Sequence, residues 1–410
     1  MTALPHLDFA ALKGKKVLLR LDLNVPIKNG EILDQTRIER SLTTLENLLK
    51  AKAKVIILAH FGRPKGQKNP AMSLKPVADA LQALLEKEVH FADDCLGESA
   101  ESVIREMKEG DVTLLENLRF YKEEEANDPD FAKKIASLAD CYVNDAFSVS
   151  HRAHASVEAI THFLPSYAGK LLQTEIEALS KAFNSPERPL IAIVAGSKVS
   201  TKLALLKNLV LKVNTLVVGG GIANTFLYAQ GCAVGQSLVE KEMTETVKEI
   251  QKASLQTGCQ IIVPHDAIIA AEIKEGTKAR KVPCEAIPDD QMILDIGPDT
   301  INLIEKTLEA SKTLVWNGPL GVFEVPPFDQ GSLAIAKKVA ALTKEGKLFS
   351  VAGGGETGAV LAKVGISEQL SYLSTAGGAF LEWLEGKNLP GIEALANCPF
   401  HTQQNLRKAF

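Results

Sequence analysis

The sequence predicts an α/β chain of two doubly wound, parallel-sheet domains, each of three layers, joined by a helix and a hinge. Three observations predict it. The chain has 410 residues, more than one hydrophobic core ordinarily supports. Short apolar runs alternate with longer helical patterns along almost the whole length. Most of those runs are continuous rather than interleaved with polar residues, as in parallel strands covered by helices on both faces. The expected arrangement is Rossmann-like.

In chain order, the strand-like runs of the first half are 16–23, 55–60, 89–91, 112–115 and 141–144. Those of the second half are 190–195, 216–218, 261–263, 293–296, 313–316, 349–352 and 372–374. The boundary falls near Pro165 to Pro189. There Leu172, Ile176, Leu179 and Phe183 recur at steps of four, three and four, one face of a helix. Ser185-Pro186 and Arg188-Pro189 then stop it. Such a helix either belongs to one domain or bridges the two.

Composition excludes several classes. Hydrophobic residues are 46% and charged residues 23% of the chain, the balance of a soluble folded protein. The net charge of -4 argues against a nucleic-acid partner, which needs a basic excess to release counterions. No unbroken apolar stretch of roughly eighteen residues occurs, so no membrane-spanning helix is expected. The first residues do not read as a secretion signal. Cys95, Cys141, Cys232, Cys259, Cys284 and Cys398 are scattered without a Cys-x-x-Cys pair. Buried free thiols in a reducing cytoplasm follow, rather than a zinc site.

The ends of the strands differ between the halves. In open parallel sheets, ligands bind beyond the carboxyl ends of the strands. The first half places Asp22 and Asn24, His60 and Arg63, Asn117 and Arg119, then Asp145, His151, Arg152 and His154 there. Arginine and histidine suit a small, highly charged anion gripped from several directions. The second half places glycines there: Gly196, Gly219-Gly220-Gly221, Gly318, Gly321, Gly353-Gly354-Gly355 and Gly377-Gly378. Glycine runs let backbone N–H groups approach a phosphate chain. Two cations add to this. Arg37 falls in the first turn of a helix with Ile38, Leu42, Leu45 and Leu49 on its apolar face. Ser200-Thr201-Lys202 opens another helix, with Lys198 just outside. A cation at a helix N-terminus is poor for stability and good for holding an anion.

One half therefore reads as a small-polyanion site and the other as a nucleotide site. No P-loop string occurs, and His151-Arg152-Ala153 is not the catalytic loop of a protein kinase. Residues 353–358 satisfy G-x-G-x-x-G after a strand, so a dinucleotide-dependent dehydrogenase is an alternative. It needs an acidic residue ending the next strand, where Ser374-Thr375-Ala376-Gly377-Gly378 stands instead. A non-catalytic nucleotide sensor is another alternative, and it has no use for the arginine-rich half.

Several strings resemble the phosphoglycerate kinase family, in the family's order. They are Arg20-Leu-Asp-Leu-Asn-Val-Pro26, His60-Phe-Gly-Arg-Pro64, Leu115-Glu-Asn-Leu-Arg-Phe120, Asp145-Ala-Phe147 with His151-Arg-Ala-His-Ala-Ser156, Gly196-Ser-Lys-Val-Ser200, Gly219-Gly-Gly221, Trp316-Asn-Gly-Pro-Leu-Gly-Val-Phe-Glu324, Gly353-Gly-Gly355 and Ser374-Thr-Ala-Gly-Gly378. The resemblance implies reversible phosphoryl transfer from 1,3-bisphosphoglycerate to ADP, with magnesium carried on the nucleotide, in a cytoplasmic, hinge-bending monomer. It implies an N-terminal domain of residues 1–168 with a returning tail 394–410, and a C-terminal nucleotide domain of 169–393. Asp22, Leu23, Asn24, Arg37, His60, Phe61, Gly62, Arg63, Arg119 and Arg152 would hold 3-phosphoglycerate or its bisphosphate. Gly196, Lys198, Lys202, Gly219, Gly220, Asn317, Glu324, Gly353, Gly354, Gly355, Glu356 and Thr357 would hold the nucleotide, with Glu356 reaching the metal. Arg37, Lys198, Gly377 and Gly378 would stabilise the phosphoryl group in flight. Four positions depart from the family's pattern. Leu23 stands for phenylalanine, Ser148 for glycine, Glu356 for aspartate and Ala376 for glycine; the last would be strained if its φ were positive.

Overall fold

The computed structural model describes residues 4–28 and 30–401. Two compact units divide the chain, Met1–Ile176 with Asn388–Phe410, and Glu177–Lys387.

In the first unit, six parallel strands lie in the order Val89–Ala92, Val112–Leu115, Lys54–Leu58, Lys16–Arg20, Cys141–Asn144 and Ser166–Ala168. The first strand in the chain sits inside the sheet, and later strands flank it on both sides. That is the doubly wound pattern the continuous apolar runs predict. Val17, Leu19, Val55, Ile57, Leu114 and Val143 join one core with Ile38, Leu45 and Leu48 of the helix Thr36–Lys50. That helix begins where Asp34 Oδ1 accepts from Thr36 N at 2.9 Å, satisfying one of the open amides of its first turn.

The second unit repeats the plan in the order Gln260–Ile262, Thr215–Gly219, Leu190–Ala195, Thr313–Asn317, Phe349–Gly353 and Tyr372–Ser374, again all parallel. Its core includes Ile191, Ile193, Val217, Leu314, Trp316 and Ala352, covered by Ile304, Leu308, Ile335 and Val339.

Two expectations need correction. The run 293–296 is not a strand of the parallel sheet. It lies in a separate antiparallel sheet in the order Arg280–Pro283, Asp266–Ala270, Met292–Ile296. An apolar run reports burial but not the direction of its neighbour, and the link from Ala270 to Arg280 is too short for a crossover helix. The unit boundary also lies later than 168 and, at the tail, earlier than 394. It falls within the helix Lys170–Leu179, because the start of that helix is bonded to the first sheet's surroundings. Lys170 N donates to Thr44 Oγ1, and Leu172 N to Asp145 Oδ1, both at 2.9 Å. The expected bridging helix changes to a π turn over Ser180–Asn184, with Phe183 buried. At the other end, the whole helix Pro390–Ala396 returns to the first unit. Gly391 N donates to Ser150 O at 2.9 Å, and Cys398 Sγ to Thr161 O. The remainder of the expected tail, 402–410, lies outside the described residues. All six cysteines are free and five are buried.

Both tryptophans, Trp316 and Trp383, lie within Glu177–Lys387, so tryptophan fluorescence follows the second unit. Leu314 is fully buried at its centre. Leu314→Ala should lower the urea midpoint read by fluorescence, equivalent to about 2–5 kcal/mol. A midpoint equal to that of the unaltered protein would contradict this packing.

Candidate active site

At the carboxyl rim of the first sheet, Arg20 ends its strand opposite Leu58 and Asn144. Its guanidinium is wholly buried, which requires every donor to be used. Nε donates to Ser156 Oγ at 2.9 Å, Nη1 to Leu21 O at 2.5 Å, and Nη2 meets His60 Nδ1 at 3.2 Å. Burial holds the His60 imidazole far below its ordinary pKa, and Arg20, Arg119 and Arg37 push it the same way.

Beyond Arg20 the chain turns out of the sheet and presents Asp22 and Asn24. Arg37, in its helix's first turn, places Nη1 2.9 Å from Asp22 Oδ2 and 3.0 Å from Asn24 O. The cation is therefore held by an acid and a carbonyl rather than merely solvated. Ser148 Oγ donates to Asp22 Oδ2 at 2.5 Å, a bond that glycine could not make. Asn24 Oδ1 accepts from Gly62 N at 2.9 Å, tying two strand-end loops together. Asn117 works similarly on the next loop: its side chain accepts from Phe61 N at 3.0 Å and donates to Phe61 O at 2.7 Å. Arg119 is buried, with Nη1 on Gly62 O at 2.9 Å. Its Nε lies 3.6 Å from Glu125 Oε1 and has no hydrogen-bond partner. A buried donor left unfilled in a polar cluster is suited to an incoming anion.

The structure thus brings together Asp22, Asn24, Arg37, His60, Gly62 and Arg119. Arg63 and Arg152 are exposed, with Arg152 Nε 3.2 Å from His151 Nε2. The side chains of Leu23 and Phe61 join the hydrophobic core, so only their backbones belong to the rim. Asp145 turns instead toward the helix at Leu172. His154 is buried, and burial with the nearby Arg119 and Arg20 lowers its pKa to about 3. Its Nδ1 lacks a hydrogen-bond partner.

In the second unit, three neighbouring strands end at Ala195, Asn317 and Gly353. One buried side chain ties them. Asn317 Oδ1 accepts from Lys202 Nζ at 2.6 Å, and Nδ2 donates to Gly353 O at 2.7 Å. Lys202 Nζ also donates to Ala195 O at 2.5 Å. Lys202 closes a 3-10 turn, Ser200–Lys202, and the α-helix starts only at Leu203. Burial lowers its pKa to about 8, against an opposing pull from Glu356. Gly318 follows with φ +97°, and a Cβ there would lie 2.0 Å from Ala195 O, so only glycine fits. Thr357 Oγ1 accepts from Gly318 N at 2.8 Å.

A cavity of about 410 Å³ opens beside this rim. Gly196, Gly220, Glu324 and Glu356 line it, together with Leu238, Ile273 and Asp295. Gly219 is buried as the last residue of its strand, and Gly354 and Gly355 begin the helix that carries Glu356. Lys198 is exposed in the loop before Ser200, which Glu240 anchors by accepting from Ser200 N at 2.9 Å. Gly377, with φ +43°, precedes the short helix Gly378–Leu384. Ala376 is not among the residues of positive φ, so this departure carries no backbone strain.

Sequence reasoning missed Arg20, Ser148, Ser156 and Glu124 in the first unit, and Leu238, Ile273 and Asp295 in the second. For Arg20 a signal existed, a lone charge closing an apolar run. The cavity wall had none, because Asp295 lies in the antiparallel sheet and Leu238 and Ile273 in irregular segments outside any strand. Among the described residues no three His, Cys, Asp or Glu side chains gather as a metal site. A magnesium ion carried on nucleotide phosphates needs only one or two carboxylates, and Glu356 is exposed at the cavity.

A family model described as phosphoglycerate kinase matches residues 7–387. The chain is 55% identical over 388 residues to a phosphoglycerate kinase of Methylorubrum extorquens (strain PA1), covering 95% of this chain and 97% of that protein. It is 53% identical over 388 residues to the one from Chelativorans sp. (strain BNC1), covering 95% and 98%. Among solved structures, phosphoglycerate kinase from Coxiella burnetii superposes with a TM-score of 0.87 at 43% identity, covering 94% of this chain and 97% of that one. The enzyme from Pyrococcus horikoshii OT3 gives 0.78 at 30% identity, covering 94% and 96%. With the match running through both sheets and both rims, the chain belongs to the phosphoglycerate kinase family.

Proposed function

We propose that this chain catalyses reversible phosphoryl transfer from 1,3-bisphosphoglycerate to ADP, giving 3-phosphoglycerate and ATP in glycolysis and gluconeogenesis. One observation carries the assignment of halves. A cluster of arginines with an unfilled buried donor stands at one sheet's rim, and a glycine-lined cavity stands at the other's. The first suits the phosphoglycerate, held by Asp22, Asn24, Arg37, His60, Gly62 and Arg119, with the exposed Arg63 and Arg152 reaching its phosphate. The second suits Mg-ADP or Mg-ATP, with Lys202, Asn317 and the backbone of Gly196, Gly219, Gly220 and Gly353–Gly355 at the phosphates. Glu324 serves the ribose, and Glu356 the magnesium of the nucleotide complex.

No general base is needed. The acceptor in the ATP-consuming direction is a carboxylate, ionised at neutral pH. Catalysis then consists of in-line placement and of positive charge around a loose, negatively charged transition state. Arg37, Lys198 and the backbone at Gly377 and Gly378 supply that charge and those donors. We assign the enzyme to the cytoplasm as a monomer. Among the described residues no helix is long and apolar enough to cross a membrane.

An assay with 3-phosphoglycerate and Mg-ATP, coupled to a dehydrogenase that consumes the acyl phosphate, tests the activity directly. Arg37→Ala should lower kcat by roughly 100- to 1000-fold and leave the KM for Mg-ATP nearly unchanged. Turnover near that of the unaltered enzyme would remove Arg37 from the transition state.

Lys202 predicts a proton linkage. Its free-state pKa of about 8 lies below the usual lysine value, so the free protein loses this proton as pH rises through that value. A neighbouring phosphate favours the charged form and raises the pKa again. Nucleotide binding should therefore take up protons between about pH 8 and 10, and Lys202→Met should abolish the uptake. Calorimetry in buffers of different ionisation enthalpy reads it; no uptake in the unaltered protein would exclude Lys202 from the phosphate site.

Reacting atoms must approach to about 3–3.5 Å, and water must be kept out. Hinge bending that requires both substrates follows. Small-angle scattering should give a smaller radius of gyration for the ternary complex than for either binary complex. An equal radius in all states of an active preparation would contradict it.

A further inference from the structure

We propose that Glu124 is a positioning residue for the acidic substrate: acting through Ser156 and Arg20, it fixes His60 as a neutral ring whose one proton sits on Nε2. The inference rests on reading the first unit's cluster as the 3-phosphoglycerate site, and it identifies a buried group that no ligand could touch.

The bonds permit one arrangement of protons. A guanidinium has donors and no acceptor. His60 Nδ1, 3.2 Å from Arg20 Nη2, must therefore offer its lone pair. That excludes both the imidazolium and the Nδ1–H tautomer, and leaves the proton on Nε2. Nε2 has no hydrogen-bond partner among the described residues, so it is the ring nitrogen left for a ligand. On the other side, Ser156 Oγ accepts from Arg20 Nε at 2.9 Å. Its single proton then goes to Glu124 Oε1 at 2.6 Å. Glu124 Oε2 accepts from Ser156 N at 2.9 Å, so both carboxylate oxygens are engaged and the group cannot rotate. The third bond, Arg20 Nη1 to Leu21 O at 2.5 Å, fixes the guanidinium plane.

Burial makes this chain of bonds rigid. Glu124, Ser156 and Arg20 are 0% exposed and His60 is 5% exposed. Among the described residues no carboxylate oxygen lies within 4 Å of Arg20, so Glu124 supplies its countercharge across one hydroxyl. His154 Nδ1 stands 4.0 Å from Glu124 Oε1, beyond hydrogen-bond reach, and does not divert the chain. The charged and titratable groups acting most strongly on His60 are Arg20, Arg119, Arg37 and His154. The three guanidinium groups oppose a second proton on the ring.

The consequence concerns the ligand. An Nε2–H ring donates to a carboxylate or phosphate oxygen at any pH near neutrality. The opposite tautomer would turn a lone pair toward the same anion. Releasing the tautomer should therefore weaken 3-phosphoglycerate without affecting the nucleotide.

Histidine-selective 15N labelling of the intact protein tests this, with the His60 signals identified by their loss in His60→Gln. Long-range 1H–15N spectra should show an unprotonated Nδ1 and a protonated Nε2, unchanged between about pH 6 and 8. Ser156→Ala should give a mixed or titrating ring and raise the KM for 3-phosphoglycerate about tenfold, with the KM for Mg-ATP held. Ser156→Thr keeps the hydroxyl and should restore both. Glu124→Gln should behave as Ser156→Ala does. The proposal does not depend on these variants folding, because a proton on Nδ1 in the unaltered protein overturns it outright. So does a Ser156→Ala protein with an unchanged ring. A locked ring that Ser156→Ala releases, but that 3-phosphoglycerate does not perturb, would instead overturn the substrate reading, and the positioning role with it.

Discussion

Where a parallel strand ends, its backbone N–H and C=O groups lose their ladder partners, and buried ones must be satisfied some other way. In both units asparagine side chains do this. Asn117 takes the amide and the carbonyl of Phe61, and Asn144 accepts from Ala146 N at 3.0 Å. Asn317 bonds Gly353 O while receiving Lys202. A carboxamide is suited to this because it donates and accepts from one rigid plane without carrying charge. Each such amide sets the path of a strand-end loop. Those loops carry His60, Gly62 and the Gly354 turn to which we assign ligands, so much of the site inherits its geometry from the need to close the sheet edge.

The same need sorts the cations. Arg20 and Arg119 are buried and held by neutral oxygens and a ring nitrogen as well as by more distant acids. Arg37 is half-buried and pairs with Asp22, and Lys202 is held by two acceptors. Arg63, Arg152 and Lys198 remain exposed. Charges oriented before the ligand arrives need little reorganisation during reaction, which is where a dry, polar site obtains most of its effect. Exposed cations add attraction at longer range and are screened by salt. The first unit therefore combines a buried, hydrogen-bonded inner set with an exposed outer one, and the second relies more on backbone donors.

Glycine has a different part at the second rim. Gly318 is required by its positive φ and by the proximity of Ala195 O. Beside it, Lys202 Nζ bridges Ala195 O and Asn317 Oδ1. At Ala376 an alanine is tolerated because the backbone there stays outside the left-handed region. Ser148 goes further: where the family pattern has glycine, its hydroxyl joins Arg37 on Asp22.

The amino-acid sequence by itself pointed to the two parallel sheets, because most of its apolar runs, such as 190–195 and 141–144, are continuous, as in strands buried on both faces. It also determined which residue types stand at the strand ends, since those positions follow directly from where each run stops. It could not determine the antiparallel sheet that walls the cavity, because the run 293–296 reports burial and not the direction of its neighbour. Nor could it show that the helix Lys170–Leu179 is bonded at its start to Thr44 and Asp145, which moves the unit boundary. The buried chain from Glu124 through Ser156 and Arg20 to His60 joins residues far apart in sequence. Its meaning lies in which atom donates to which, and only the tertiary structure decides that, because hydrogen-bond polarity depends on geometry and not on spacing along the chain.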